Sequence, residues 1–308
     1  MKHFLNIKDN SYISLRKILL DAKKRKFKRK NFETLEIDKD RPLKDNLLIQ
    51  MFEKSSLRTR LSFYLAIRQL GGSALTLRPD ELHLSKGGES IADTAKILSS
   101  FGNIFMLRTD DEKKLNSFQK YLSIPLINGL SPNSHPTQIL SDIFTIEEIT
   151  KKNVSQTNIC WIGDSNNVLN SLIEASEKFS FNLKIGCPKK YHSSFKLHNW
   201  FKNNNDKIRI FDNPNDAIKN ADVVLTDKVI SMNDKVNKKK KIKDFSNFKI
   251  TSKLMSLSKN AFLLHCLPRG NEVSDDVFFS KRSKVWQQAQ NRVHVQKSIL
   301  LFCLNKLR

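Results

Sequence analysis

Apolar residues recur along the chain in short runs, each giving way to a polar cluster and then to a longer stretch with helical spacing. The strand-like runs are NLLIQMF (46–52), SALTL (73–77), NIFMLR (103–108), IPLIN (124–128), NICWIGD (158–164), FNLKIGC (181–187), KIRIFD (207–212), ADVVLTD (221–227) and AFLLHCLP (261–268). Helical spacing follows at 58–70, 89–101, 137–149, 167–179 and 215–220. Strands that alternate with helices over this length predict an α/β fold, with mainly parallel sheets flanked by helices on both faces. At 308 residues the length suits about two domains. The polar, lysine-rich stretch near 145–155 is the expected link between them.

Ligands of such sheets bind beyond the carboxyl ends of the strands. The polar clusters EKSSLRTR, LRTDD, GDSNN, LTDK and HCLPRG all stand there. The first is the most telling. If a strand ends near Glu53 and a helix starts near Ser56 to Arg58, the N–H groups of that first turn face outward with the helix dipole behind them. Ser56 and Thr59 add hydroxyls, and Arg58 and Arg60 offer the forked geometry that suits phosphate oxygens. An ordinary N-cap serine followed by surface arginines explains the same stretch equally well.

Charge changes this picture little. Fifty-four Lys and Arg against 31 Asp and Glu give a formal charge of +23, which suggests a nucleic-acid or anionic-membrane partner. However, the basic runs KKRKFKRK (23–30) and KKKKIK (238–243) lack the interleaved aromatic platforms of single-strand binders, and solvated surface is their expected place. No apolar run approaches the roughly 20 residues that span a bilayer, and no secretory leader is evident at the start. Cys160, Cys187, Cys266 and Cys303 are widely spaced and form no C-x-x-C pair, so neither a zinc site nor a disulfide framework is expected. A reducing cytoplasm fits this usage.

FEKSSLRTRLSF (52–63), MLRT (106–109), SHPTQILSD (134–142) and HCLPRG (265–270) resemble, in order and spacing, motifs of the aspartate/ornithine carbamoyltransferase family. INGL (127–130), WIGDSNNV (161–168), TDKVISM (226–232) and QNRVHVQKSIL (290–300) extend the resemblance over essentially the whole chain. TDKVISM and the cysteine of HCLP resemble the ornithine branch. The resemblance implies a carbamoyl-phosphate-binding domain at residues 1–146, with a helix at about 291–308 packing back on it, and an ornithine-binding domain at 147–290. It also implies transfer of a carbamoyl group from carbamoyl phosphate to the side-chain amine of L-ornithine, giving L-citrulline for arginine biosynthesis. Neither a cofactor nor a metal is expected, and neither a nucleic acid nor a membrane is an expected partner. Another amine, such as putrescine or N-acetylornithine, is the alternative acceptor, and a basic nucleic-acid-binding protein on the same fold the alternative class.

By the same resemblance, Ser56, Leu57, Arg58 and Thr59 hold phosphate, and Arg108 bridges phosphate and the carbonyl oxygen. His135 and Arg292 reach the carbonyl, Gln138 accepts from the carbamoyl NH₂, and Cys266 and Leu267 lie beside the reacting groups. Arg108, His135, Cys266 and Arg292 form the expected catalytic set. Asn167, Asp227, Ser231 and Met232 are the expected ornithine ligands, and His83 is expected to reach a neighbouring subunit's site in a homotrimer with shared sites. Leu57, Val229, Asn233 and Gln290 depart from the family's usual residues.

Overall fold

The computed structural model describes residues 1–78, 88–194, 207–230 and 237–307. The chain forms two compact units, Met1–Phe144 with Gln290–Arg308, and Thr145–Ala289.

In the first unit a long helix, α1 (Tyr12–Lys28), precedes four parallel strands, β1 (Leu47–Phe52), β2 (Ser73–Leu77), β3 (Ile104–Arg108) and β4 (Leu126–Leu130). Their order is β2-β1-β3-β4. Parallel neighbours need crossover connections, which run through α2 (Leu57–Gln69), α3 (Ile91–Phe101) and α4 (Glu112–Tyr121). Ile49, Met51, Phe105, Leu107 and Leu126 pack with Ala95 and Leu98 of α3 and with Leu115 and Phe118 of α4. The Phe105 and Phe118 rings meet at 5.3 Å. Burying each large apolar side chain of this set contributes about 1.5–3 kcal/mol.

After β4 comes α5 (Pro136–Thr150). The second unit carries five parallel strands, β5 (Asn158–Ile162), β6 (Asn182–Gly186), β7 (Ile208–Phe211), β8 (Val223–Thr226) and β9 (Phe262–His265), in the order β7-β6-β5-β8-β9. Its helices include α6 (Asn167–Phe179), α7 (Pro214–Ile218), α8 (Lys238–Asp244), α9 (Ser252–Met255) and α10 (Asp275–Phe278). Asn166 starts α6 by accepting from the N–H groups of Val168 and Leu169, and Ser180 ends it in the left-handed region. The last helix is α11 (Val285–Cys303).

Both sheets reverse their direction of growth once, between β1 and β3 in the first and between β5 and β8 in the second. Such switch points open a crevice at the strand ends. At the first, the β3–β4 register moves from Leu107↔Asn128 to Arg108↔Leu130, so Gly129 is an extra residue beside Arg108. A Cβ on Gly129 would come within 2.5 Å of Met106 Sδ. A larger residue at this bulge would therefore force the Met106 side chain to shift.

The two basic runs depart from the expectation of solvated surface. KKRKFKRK lies on α1, where residues four apart share a face. Arg25 and Arg29 both reach Asp38, at 3.1 and 2.7 Å, and Lys26 Nζ donates to Asn291 Oδ1 at 2.7 Å. On α11, Lys297 is fully buried against the same Asp38 at 2.7 Å, and Ser298 Oγ donates to Asp21 at 2.7 Å. These contacts hold the last helix to the first. Desolvation lowers Lys297 to about 8 despite its carboxylate partner. In the second run, Lys238 to Lys240 are exposed, whereas Lys241 is buried.

Candidate active site

The first cluster of predicted residues surrounds the β1/β3 switch point. β1 ends at Phe52, and α2 begins at Leu57 with Ser56 in the N-cap position. Ser56 makes no capping bond through its side chain; instead its Oγ accepts from Arg108 Nη1 at 3.1 Å. The ordinary N-cap reading of this serine therefore does not describe it. Arg108 ends β3, directly opposite Phe52 in the register. Glu53, which sequence reasoning passed over, ties the two loops together. Its N–H donates to the Arg108 carbonyl at 3.0 Å, and its carboxylate accepts from Thr109 Oγ1 and Lys114 Nζ.

His135 immediately precedes α5 and is buried. Its backbone carbonyl accepts from Gln138 N and Ile139 N, so it caps the helix through the main chain. Gln138, three residues on, is oriented at both ends of its amide: Nε2 donates to Asp142 Oδ1 at 2.8 Å, and Oε1 accepts from Arg292 Nη1 at 2.8 Å. Arg292 reaches in from α11, and its Nη2 donates to Thr59 Oγ1 at 2.8 Å. Thr59, Gln138 and Arg292 are all buried. Burial, followed by the guanidinium charges of Arg292, Arg108 and Arg58, pushes the His135 imidazole well below its ordinary value. A neutral histidine thus stands within the field of three arginines. A neutral imidazole has one ring N–H to offer and brings no further positive charge. Arg60, by contrast, is exposed and lies over the Phe52 ring, 5.1 Å from its centroid, and Leu57 points to solvent from the first turn of α2.

The second cluster surrounds the β5/β8 switch point. Gly163, at φ +152, turns the chain out of β5. Asn166 Nδ2 then donates to Asp227 Oδ2 at 3.0 Å while its Oδ1 caps α6. Asn167 is the first residue of that helix. Burial raises the Asp227 carboxyl above its ordinary value, and neighbouring Glu272 adds to this while His265 and Asn166 oppose it.

At the end of β9, His265 is buried and Cys266 and Leu267 are half-buried. Leu267 N–H donates to His265 Nδ1 at 2.8 Å, and His265 Nε2 meets Glu272 Oε1 at 2.9 Å. Because Nδ1 accepts, the proton sits on Nε2. Burial opposes ionisation of Glu272, but the His265 hydrogen bond and the Gly270 N–H prevail and hold it below the usual carboxylate range. Leu267 has φ +57 and precedes a cis Pro268. Positive φ is costly for a branched side chain, and the imidazole bond to its N–H helps to hold that turn.

Two expectations lie outside the described residues: His83, and Ser231 with Met232 and Asn233. All the other expected residues are described. Ser56, Arg58, Thr59, Arg108, His135, Gln138 and Arg292 come together in the first unit. Asn167 and Asp227 are linked through Asn166 in the second. Sequence reasoning missed Glu53, Asp142, Asn166, His265 and Glu272. All but Glu272 stand inside or beside the quoted motifs, yet only the fold shows which atoms they hold. Among the described residues, no group of three or more His, Cys, Asp or Glu could hold a metal ion, and no helix is long and apolar enough to cross a membrane.

Comparison with known proteins identifies the family. The family model for the aspartate/ornithine carbamoyltransferase carbamoyl-P binding domain matches residues 2–148, and that for the Asp/Orn binding domain matches residues 155–303. The chain belongs to the aspartate/ornithine carbamoyltransferase family. Among its relatives in this family, the ornithine carbamoyltransferase of Caulobacter vibrioides is 39% identical over 99% of this chain and 98% of its own. That of Campylobacter hominis is 41% identical over 98% of each. Two solved members of the family share the architecture. The ornithine carbamoyltransferase of Pyrococcus furiosus has a TM-score of 0.89 at 35% identity, covering 98% of this chain and 96% of its own. The anabolic ornithine carbamoyltransferase of Campylobacter jejuni has a TM-score of 0.87 at 37% identity, covering 99% and 100%.

Proposed function

We propose that this chain is an ornithine carbamoyltransferase, with carbamoyl phosphate bound by residues 1–144 and 290–308 and L-ornithine by residues 145–289. The observation that carries the reading is the neutral His135 among Arg58, Arg108 and Arg292. Three fixed cations favour a dianionic ligand, and a neutral imidazole beside them suits a carbonyl oxygen that becomes negative only during reaction. The names of the full-length relatives direct the acceptor to ornithine.

In this reading the phosphate lies against the first turn of α2, on Ser56, Leu57, Arg58 and Thr59, with Arg108 shared between phosphate and carbonyl. The unprotonated side-chain amine of ornithine attacks the carbonyl carbon. His135, Thr59, Arg108 and Arg292 donate to the oxyanion, and the C–O bond to phosphate then breaks, the electron pair leaving on phosphate, which takes up the proton that the attacking nitrogen sheds. Gln138 Oε1 has a second lone pair for the carbamoyl NH₂ once Arg292 has taken the first. Asp227 pairs with the ornithine α-ammonium, whose approach offsets the burial that raises its carboxyl. Asn167, with Ser231 and Met232, fixes the rest of the amino-acid head group, and Cys266 and Leu267 lie beside the reacting nitrogen.

The reading extends to a homotrimer that shares its sites through His83, and to arginine biosynthesis in the cytoplasm. Leu57, Leu61 and Tyr64 form an exposed stripe on α2 at helical spacing, and Leu75, Ile97 and Phe101 are exposed in the same unit. Apolar surface of that kind favours association. The test is an amine panel assayed with carbamoyl phosphate. Citrulline formation well above the products from putrescine or N-acetylornithine is expected, and absence of turnover with ornithine would overturn the reading.

A further inference from the structure

Lys241 is the one buried lysine of the KKKKIK run, 3% exposed while Lys238, Lys239 and Lys240 before it are exposed. A lysine taken out of water needs a fixed counter-charge. Its Nζ stands 2.5 Å from Asp164 Oδ2, and Asp164 is itself only 8% exposed. Asp164 is the second residue beyond β5, on the loop that leaves the switch point of the second sheet. Its other carboxylate oxygen accepts from Ser165 N at 2.9 Å, and its carbonyl accepts from the indole of Trp161 at 3.1 Å. Two residues later, Asn166 makes the contact to Asp227 and caps the helix that Asn167 begins. The cation is anchored independently of this loop. Asp244, at the other end of α8, accepts from Tyr191 Oη at 2.8 Å and pairs with Lys190, and the ring of adjoining Phe245 meets that of Tyr191 at 4.8 Å.

We propose that Lys241 is a positioning residue for the amino-acid substrate: from a fixed helix it sets the β5 exit loop, and through Asp164 and Asn166 the placement of Asn167 and Asp227. The inference rests on the proposed function and adds to it a lysine that contacts neither substrate. Its action is confined to the second unit, so the carbamoyl-phosphate residues of the first should not register its loss.

The test is Lys241→Met in steady-state kinetics, with carbamoyl-phosphate binding measured separately by calorimetry in the absence of ornithine. KM for ornithine is expected to rise about tenfold, a middle value for residues coupled through one ion-pair and hydrogen-bond network. Carbamoyl-phosphate affinity should stay unchanged. Lys241→Arg should recover most of the lost affinity. The double variant Asp164→Asn with Lys241→Met should bind ornithine better than Lys241→Met alone, because no uncompensated carboxylate remains. An unchanged KM for ornithine, or an equal loss of both affinities with a lowered Tm, would overturn the proposal. Should Lys241→Met fail to fold, Asp164→Asn carries the test, and an unchanged KM there overturns it too. Wild-type protein without ornithine turnover is a different failure, that of the function itself.

Discussion

The two clusters solve opposite electrostatic problems. The first gathers Arg58, Arg108 and Arg292 around a histidine that burial, and then their charges, keep neutral. The second holds Asp227, which burial keeps partly against ionisation. One is a set of permanent cations suited to an anion; the other is an acid whose charged form a nearby cation would favour. Their construction differs as well. Arg292 and Arg108 bind directly to other members of the first cluster, Thr59, Gln138 and Ser56. In the second, Asp227 is reached through Asn166, and Asn166 through a loop pinned by Asp164. On the proposed function, anion recognition is thus local and direct, and amine recognition relayed.

The sharpest way to break the comparison is to remove a cation. Arg108→Ala should lower kcat by roughly 10²–10³-fold or more, since on the proposed function it deletes a donor to the developing oxyanion and a phosphate partner together. A variant that retains the wild-type rate would show that the first cluster is not where the charge develops. His135→Ala should cost about 10²-fold in kcat. In the wild-type protein its ring protons should show no titration by NMR between pH 8 and pH 6, and a midpoint near 6.5 would contradict the field of arginines. Asp227→Asn addresses the other side. It should raise KM for ornithine roughly thirtyfold, the equivalent of about 2 kcal/mol for truncating one partner of a buried charge pair. Calorimetric carbamoyl-phosphate affinity should not move, and equal loss of both would make Asp227 structural.

The smallest effect concerns the scaffold of the first cluster. Burial opposes ionisation of Asp38, but Lys297 and Arg29 outweigh it, so its folded-state pKa lies below the ordinary 3.8. The folded state therefore holds fewer protons than the unfolded state just below pH 4. Stability from this group is full above that pH and is lost as pH falls through the lowered folded pKa. Tm should drop more steeply on acidification in wild-type protein than in Asp38→Asn, which has no such carboxyl to protonate; parallel curves would remove Asp38 from the account.

How much of this was legible in the sequence follows from the same contrast. Alternating apolar runs located the strands of both sheets to within a few residues, and the 167–179 stretch coincides with α6. The strand-to-helix junction at 52–60 announced its chemistry because neighbours in sequence remain neighbours in space there. The long helix α1 escaped notice because charge masked its apolar face of Leu15, Ile18, Leu19 and Ala22. The pairs Lys241–Asp164, Lys297–Asp38 and Arg292–Thr59 join residues 77, 259 and 233 positions apart. No spacing rule reaches that far. The resemblance implied the return of the last helix and a shared site for Thr59 and Arg292, but the pairings themselves became visible only in the fold.

That return also imposes an order in time. Residues 1–144 include Thr59, Gln138 and Asp38, whose buried partners Arg292 and Lys297 lie on α11. Translation at about 5–20 residues per second separates their synthesis by roughly ten to fifty seconds. During that interval the nascent first unit carries Asp38 without Lys297 and a phosphate loop without Arg292. A stalled chain ending at residue 289 is therefore expected to be a poor ligand trap and a good chaperone client. The first unit thereby acquires Arg292 and Lys297 only after the whole of the second unit has been synthesised.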